Sequence, residues 1–248
     1  MFAGNALASL LAPPRFYRFS GVVLPWLSVL CAALFALGLY SGLVLAPPDY
    51  QQGDSYRIMF VHVPAAWLSM FAYLILAGAG FMALVWRIKL AEAVAAGVAP
   101  IGASFTLLAL VTGALWGKPM WGAWWVWDAR LTAELILLFL YLGYIGLQSA
   151  IADTRQAARA GAVLALVGVV NIPIIHYSVI WWSTLHQGPT VSKLDAPSIH
   201  ASMLAPLLLM SAAFLLVFVI ALLLRTRAEL LARERRSAWV QALLEGAP

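Results

Sequence analysis

The sequence predicts an all-α, polytopic membrane protein with six transmembrane helices and both termini in the cytoplasm. Of its 248 residues, 64% are hydrophobic and only 10% are charged, whereas soluble domains carry about 25% charged residues. Charged residues separate six apolar windows, each long enough for one spanning helix of about 20 residues and too short for two. These windows are 19–48, 58–86, 93–117, 135–152, 160–192 and 196–224.

The positions of lysine and arginine predict the orientation, because both are enriched in cytoplasmic loops. With the termini inside, eleven of these residues lie on the cytoplasmic side and four on the outer side. We therefore expect one six-helix transmembrane domain over 1–248, with an outer tryptophan-rich loop at 117–132 and a cytoplasmic amphipathic tail at 225–248. The four outer basic residues are Arg57, Lys118, Arg130 and Lys193.

The first window contains the one cysteine of the chain, Cys31. A single cysteine excludes an internal disulfide, a CxxC redox pair and a CxxCH haem-attachment site. We expect Cys31 to be a small packing residue. Residues 1–20 lack the apolar core of a cleavable signal peptide, so the first window is expected to act as an uncleaved anchor.

The first outer loop ends in RIMFVHVPAAW and supplies the candidate ligand His62. Pro64 suits the first turn of a helix and pushes its predecessor into an extended conformation, so His62 is expected just outside the second helix. The helix dipole there disfavours imidazolium, and neutral imidazole is the form that ligates metals. The alternative is an interfacial histidine that only forms hydrogen bonds.

The second outer loop carries WGAWWVWDARLT, with four tryptophans within seven residues. On a helix, the spacing i, i+3, i+4, i+7 predicts one stripe, with Arg130 on the opposite side and Trp127 on the flank. Such a stripe suits a shelf for a large, flat, apolar molecule with polar edges, although tryptophan is also typical of the membrane interface. The members of the stripe are Trp121, Trp124, Trp125 and Asp128.

The third outer loop contains WWSTLHQGPT, in which His186 follows the fifth window. Two histidines from different loops, with the tryptophans between them, match the way in which two axial ligands hold a haem iron. Of the outer basic residues, Arg130, Lys118 or Lys193 would meet the propionates.

Other polar residues allow two interpretations each. Asp128 also fits an N-cap of the fourth helix. Glu134 lies one turn into that helix, where it either complements the dipole or serves a function at membrane depth. His176 lies near Pro173, which should kink the fifth span, and it either lines a cavity or is a satisfied interior histidine. We expect His200 to be an interface residue.

The chain resembles the CcmC (haem exporter protein C) family. The stretch WGAWWVWDARLT has every fixed position of that family's WGxxWxWDxRLT signature, and FVHVPAAW and WWSTLHQG flank it in the neighbouring outer loops, so that the resemblance covers 20–225. It implies a non-catalytic protein that holds haem b on the signature loop, at the periplasmic side of the bacterial inner membrane, with His62 and His186 as iron ligands. The implied haem-binding residues are Trp121, Trp124, Trp125, Trp127, Asp128 and Arg130.

The resemblance also implies partners: the haem chaperone CcmE, which receives the haem, and the subunits CcmA, CcmB and CcmD, in addition to membrane lipid. No P-loop is present, in keeping with an ATPase on a separate chain, and no nucleic acid is expected to bind. Two alternatives remain. A membrane oxidoreductase with permanent haem would need paired histidines within the spans, whereas only His176 lies there. A permease would need several charges at mid-membrane, for which Glu134 and Asn171 are weak support.

Overall fold

The computed structural model describes residues 12–182, 184–186, 188 and 196–245, and within them the regular elements are all helical. Six stretches are long and apolar enough to cross a membrane, which confirms the predicted number of spans. The protein is therefore a multi-pass helical membrane protein. The spans are Pro13–Leu45, Ser55–Trp86, Lys89–Trp121, Ala129–Ala150, Thr154–Trp181 and Ala201–Arg233.

The helices are numbered in chain order. A π-helical turn continues α1, a 3₁₀ turn at Ser55–Ile58 leads into α2, and α5 and α6 together form the fifth span. Their bounds are α1 Pro13–Tyr40, α2 Met59–Trp86, α3 Lys89–Trp121, α4 Ala129–Ala150, α5 Thr154–Gly168, α6 Asn171–Trp181, α7 Ala201–Arg233 and α8 Ala238–Leu244.

The fifth span is interrupted between α5 and α6, close to the expected kink. Pro173 lies in the first turn of α6, where its ring and its missing N–H are incompatible with a helical bond to the carbonyl of Val169. The side chain of Asn171 donates to the carbonyl of Ala133 at 2.8 Å, which ties the start of α6 to α4. The second half of the span, α6, is thereby held in place by its own contact with α4.

Small residues let the central helices approach one another closely, as is usual in membrane proteins. Gly102 of α3 lies directly under the buried ring of Tyr141 from α4, and a Cβ at this position would overlap that ring. The Tyr141 hydroxyl donates to the carbonyl of Ser69 on α2 at 2.7 Å. Three helices thus meet at this level of the core.

The basic tail predicted at 225–248 begins as part of the last spanning helix. Residues 225–233 continue α7, because apolar and basic side chains alike are good helix formers and nothing interrupts the backbone before Glu234. The short α8 then folds back towards the start of α1, where Trp239 packs against Tyr17 with ring centroids 5.7 Å apart. Arg227 also donates to the Tyr17 carbonyl, so the start of α1 and the end of α7 lie at the same end of the bundle.

Candidate functional site

The tryptophan-rich stretch is mostly a loop, and the expected helical stripe is not formed. Helix α3 ends at Trp121, because Gly122 adopts the left-handed conformation with φ 76° and its N–H bonds to the Lys118 carbonyl at 3.1 Å. The next helix begins at Ala129. Asp128 caps it by accepting from the Leu131 N–H at 2.8 Å, as the N-cap interpretation predicted.

The four tryptophans of the motif consequently point to different surroundings. Trp121 lines a cavity between the helix ends. Trp124 and Trp127 are 56% and 77% exposed, and the Lys118 ammonium lies 5.9 Å from the Trp124 ring centroid. Trp125 packs edge-on against Trp127 at 5.4 Å. Of these four, only Trp121 contributes to the cavity wall. We call the remaining three, Trp124, Trp125 and Trp127, the rim.

The cavity has a volume of about 210 Å³. It lies at one end of the bundle, where α2 and α4 begin and α3 and α6 end. Both histidines predicted as ligands lie in its wall, on elements that are far apart in the sequence. Arg130 also lines it, although it was expected on the face opposite the tryptophans, because the break at 122–128 uncouples its direction from theirs. The described lining includes His62, Trp116, Trp121, Arg130, His176 and His186.

His62 lies in the first turn of α2, not before the helix as expected, because the turn at Ser55–Ile58 already directs the chain into helical conformation. Its Nδ1 is 3.0 Å from the carbonyl oxygen of Ala109 and 3.1 Å from Thr112 Oγ1, both on α3. A carbonyl only accepts, so Nδ1 carries the proton and donates. In the neutral ring, Nε2 then has a free lone pair.

His186 has a similar arrangement with a different acceptor. Its Nδ1 is 3.3 Å from Asp128 Oδ2, and its ring lies against that of Trp121 with centroids 4.9 Å apart. Burial lowers the pKa of His186, as does the nearby Arg130 cation, whereas Asp128 opposes the shift. The net direction favours neutral imidazole, with Nδ1 donating to the carboxylate and Nε2 without a hydrogen-bond partner in the described part of the chain.

The two free Nε2 atoms are a suitable donor set for a porphyrin iron, which needs only axial ligands from the protein. Metal-bound histidines usually donate their second ring N–H to a carbonyl or carboxylate, and His62 and His186 each do so. Within the described residues, no group of three His, Cys, Asp or Glu side chains is arranged to hold a metal ion. Two imidazole nitrogens suit an iron that brings its own equatorial ligands.

Two unsatisfied polar atoms belong to the loops that carry Trp121 and His186, although their own residues do not line the cavity. Trp125 Nε1 and Thr184 Oγ1 are buried and have no hydrogen-bond partner among the described residues. Buried groups of this kind usually bond to a ligand or water. Arg130 adds a guanidinium in the cavity wall that forms no ion pair with any described side chain.

The other polar candidates lie in different places. His176 lines the cavity, and no described residue hydrogen-bonds to it; the sequence had left this alternative open. Glu134 is buried below the cavity and accepts from Ser69 Oγ at 2.7 Å. His200 caps α7 through the Ser202 N–H at 3.3 Å. Lys193 lies outside the described residues.

Sequence reasoning missed Trp116 and Gln52, which form the part of the cavity wall next to His62. Trp116 packs against the His62 ring at 5.8 Å and donates from Nε1 to Gln52 Oε1 at 2.9 Å. Trp116 lies five residues before Trp121 on α3, a spacing that puts the two side chains on different faces of a helix, so no sequence pattern grouped Trp116 with the motif. No pattern in the first loop pointed to Gln52.

Fold and site together define a class: six-span helical membrane proteins with a cavity, walled by histidine and tryptophan, at one end of the bundle. A family model described as "Heme exporter protein C" (CcmC) matches residues 6–241. The chain belongs to this CcmC family.

Individual relatives agree with this assignment. The chain is 51% identical over 240 residues to Heme exporter protein C of Escherichia coli (strain K12), which covers 97% of both chains. It is 52% identical over 233 residues to the Haemophilus influenzae protein of the same name, covering 94% of this chain and 95% of the relative. A ccmC-like mitochondrial protein of cytochrome c biosynthesis from Marchantia polymorpha is 46% identical over 197 residues, covering 79% of this chain and 83% of the relative.

Proposed function

We propose that this protein binds haem b at the periplasmic side of the bacterial inner membrane and transfers it to the chaperone CcmE during cytochrome c maturation. It acts in a complex with CcmA, CcmB and CcmD, in which ATP hydrolysis belongs to another chain. Membership of the CcmC family supports the haem-handling role itself. The protein's own contribution is to bind, orient and release a cargo, without chemistry on it.

The observation that carries the proposal is the matched pair of histidines. His62, in the first turn of α2, and His186, in the loop after α6, line one cavity, and each donates from Nδ1 to an acceptor so that Nε2 is available to a metal. This arrangement holds the imidazole planes before the ligand arrives, so little rotational freedom is lost when iron binds. We assign the two Nε2 atoms as axial ligands of the haem iron.

The small size of the cavity supports a carrier. Its volume of about 210 Å³ is below the roughly 300–1,000 Å³ of pockets that enclose their ligands. A porphyrin bound through His62 and His186 would extend past Trp121 towards the exposed rings of Trp124 and Trp127. A partly exposed cargo is accessible to a second protein, and the rim supplies aromatic surface for stacking.

Arg130 is the residue we assign to a propionate. It lies in the first turn of α4 and lines the cavity without a described counter-ion. A guanidinium pairs with a carboxylate through two parallel hydrogen bonds. This contact fixes the rotation of the macrocycle about the axis through its iron.

The test is the absorption spectrum of the purified protein with bound haem. Wild type is expected to give a bis-imidazole spectrum, and the double variant His62→Ala/His186→Ala is expected to lose it. His200→Asn is the matched control, because it removes an outer histidine but keeps the cap of α7. His176→Ala should leave the spectrum unchanged, since iron has only two axial positions. An unaltered spectrum and normal haem delivery in the double variant would refute the ligand assignment.

A further inference from the structure

A second, larger cavity lies at the opposite end of the bundle. Its volume is about 1430 Å³, and the ends of α2, α4 and α7 and the starts of α3 and α5 surround it. Seven basic side chains line it against three acidic ones, so the cavity is strongly cationic. The basic residues are Arg87, Lys89, Arg155, Arg159, Arg225, Arg233 and Arg235.

The three acidic residues are already engaged. Glu234 pairs with Lys89 at 2.9 Å, and Glu92 and Glu229 pair with Arg233 at 3.4 and 3.3 Å. The guanidinium groups of the other five arginines form no ion pair or hydrogen bond with any described residue. A group of guanidinium ions around one concavity repel each other, and an anion between them removes that repulsion.

Arg87 supplies an independent observation. It is the only non-glycine residue in the described chain with a positive φ, at 54°, and it occupies the left-handed position that ends α2. Glycine is the usual residue there, since a Cβ makes this conformation unfavourable. An arginine at such a position costs stability, and backbone strain of this kind is typically found where a side chain serves a ligand.

The cavity also has an apolar side. Leu84, Pro100 and Ile145 line it together with several alanines, and they belong to the membrane-spanning stretches of α2, α3 and α4. Leu84 is 39% exposed. The cationic part thus lies at the helix ends, and the apolar part continues towards the surface that faces acyl chains.

We propose that this cavity binds an anionic phospholipid, with the headgroup phosphate held by Arg87 and its neighbouring arginines and the acyl chains against the apolar side. Basic pockets between transmembrane helices are a known setting for acidic headgroups, and guanidinium binds phosphate through paired hydrogen bonds. A phospholipid is favoured over an acidic polypeptide because the site combines cationic helix ends with a lipid-facing apolar wall. The proposed lipid site shares no lining residue with the proposed haem cavity at the other end of the bundle.

The decisive variant is Arg87→Gly. Glycine relieves the backbone strain, so this variant is expected to melt at the same or a higher temperature than wild type, while its affinity for phosphatidylglycerol falls about fivefold, as for loss of one basic residue near a membrane surface. Affinity is measured by native mass spectrometry of the full chain titrated with dioleoylphosphatidylglycerol. Arg236→Gly is the matched control, because Arg236 is exposed at the same end but does not line the cavity.

Two further ligands distinguish the sources of phosphate. Dioleoylphosphatidylcholine should bind weakly and equally to wild type, Arg87→Gly and Arg236→Gly. Glycerol 3-phosphate, which lacks acyl chains, should bind far more weakly than dioleoylphosphatidylglycerol. The proposal is overturned by equal lipid affinity in wild type and Arg87→Gly, by an equal loss in Arg236→Gly, or by glycerol 3-phosphate binding as tightly as the lipid. It is also overturned if wild type retains no phospholipid but retains an acidic polypeptide in the same spectra.

Discussion

The carboxylate of Asp128 contacts His186 with one oxygen and caps α4 with the other. Oδ1 of Asp128 accepts from the Leu131 N–H at 2.8 Å and caps α4, and Oδ2 lies 3.3 Å from His186 Nδ1. The start of a transmembrane helix and the orientation of a candidate iron ligand therefore depend on one side chain. Since Asp128 is part of the tryptophan-rich motif, this geometry gives a physical reason for an acid at that position.

The variants Asp128→Asn and Asp128→Ala distinguish the capping role of Asp128 from its contact with His186. Asparagine keeps the cap through its amide oxygen but turns an N–H donor towards His186, so Nδ1 must accept and the ring proton moves to Nε2. We expect Asp128→Asn to retain its melting temperature and to bind haem about 10–100-fold more weakly, as for loss of an outer-shell partner of a metal ligand. Asp128→Ala should lose about 1 kcal/mol of stability as well. Thermal melts and haem titrations measure both, and unchanged haem affinity in Asp128→Asn would contradict the positioning role.

Haem affinity should depend on pH through His186. Burial and Arg130 lower the pKa of His186 from its ordinary 6.5, so the ring is neutral at pH 7. As the pH falls through this lowered pKa, the proton competes with iron for Nε2 and affinity falls. The unfolded chain binds this proton more readily than the folded chain. Protonation of His186 therefore does not affect the free energy of unfolding above pH 6.5, and that free energy falls as the pH is lowered below this value. Titrations between pH 8 and pH 5 test this, with His186→Ala expected to show a flatter profile than wild type.

Trp121 and Trp127 should differ in their effects although both belong to the motif. Trp121 lines the cavity and packs on His186 at 4.9 Å, whereas Trp127 is 77% exposed on the rim. Removing a ring that contacts the ligand costs about 1–3 kcal/mol, so Trp121→Ala should lower haem affinity by about 5–150-fold. Trp127→Ala should retain most of the affinity and slow transfer to CcmE instead. Equal affinities for the two variants would contradict the placement of the porphyrin.

The close approach of α3 and α4 predicts a difference between two glycines. Gly102 has no room for a Cβ beneath Tyr141, whereas Gly78 on α2 has no atom within 4 Å of such a Cβ. Gly102→Ala should destabilise the protein by about 1–3 kcal/mol through overpacking, and Gly78→Ala should be neutral or slightly stabilising because alanine favours helix. Thermal melts in detergent measure both. A neutral Gly102→Ala would show that Tyr141 can move without cost.

Much of the architecture followed from the sequence. Six apolar windows predicted six spans, Asp128 was recognised as an N-cap, and Pro173 predicted the break in the fifth span. Each of these features depends on local chemistry, such as side-chain apolarity, a carboxylate beside free N–H groups, or a missing donor. The amphipathic tail at 225–248 stays a prediction, and its first residues continue α7 because charge marks where a helix leaves the membrane and not where its backbone ends.

The site was only partly predictable, and the helical stripe of Trp121, Trp124 and Trp125 was wrong. A spacing of three and four residues indicates one face only if the backbone is helical throughout, and Gly122 ends the helix inside the motif. Which residues share a wall then depends on how the loop turns, and this brought Trp121 and Arg130 together and left Trp124 and Trp127 on the rim.

By itself, the sequence determined that the chain is a six-span membrane protein, because apolar length acts locally, and it predicted that His62, His186 and the tryptophan motif lie at the same end of the spans. Only the tertiary structure decided that His62 donates to the Ala109 carbonyl and His186 to Asp128, which leaves both Nε2 atoms free. These contacts join residues more than 40 positions apart, and no local pattern encodes the packing of helices that creates them.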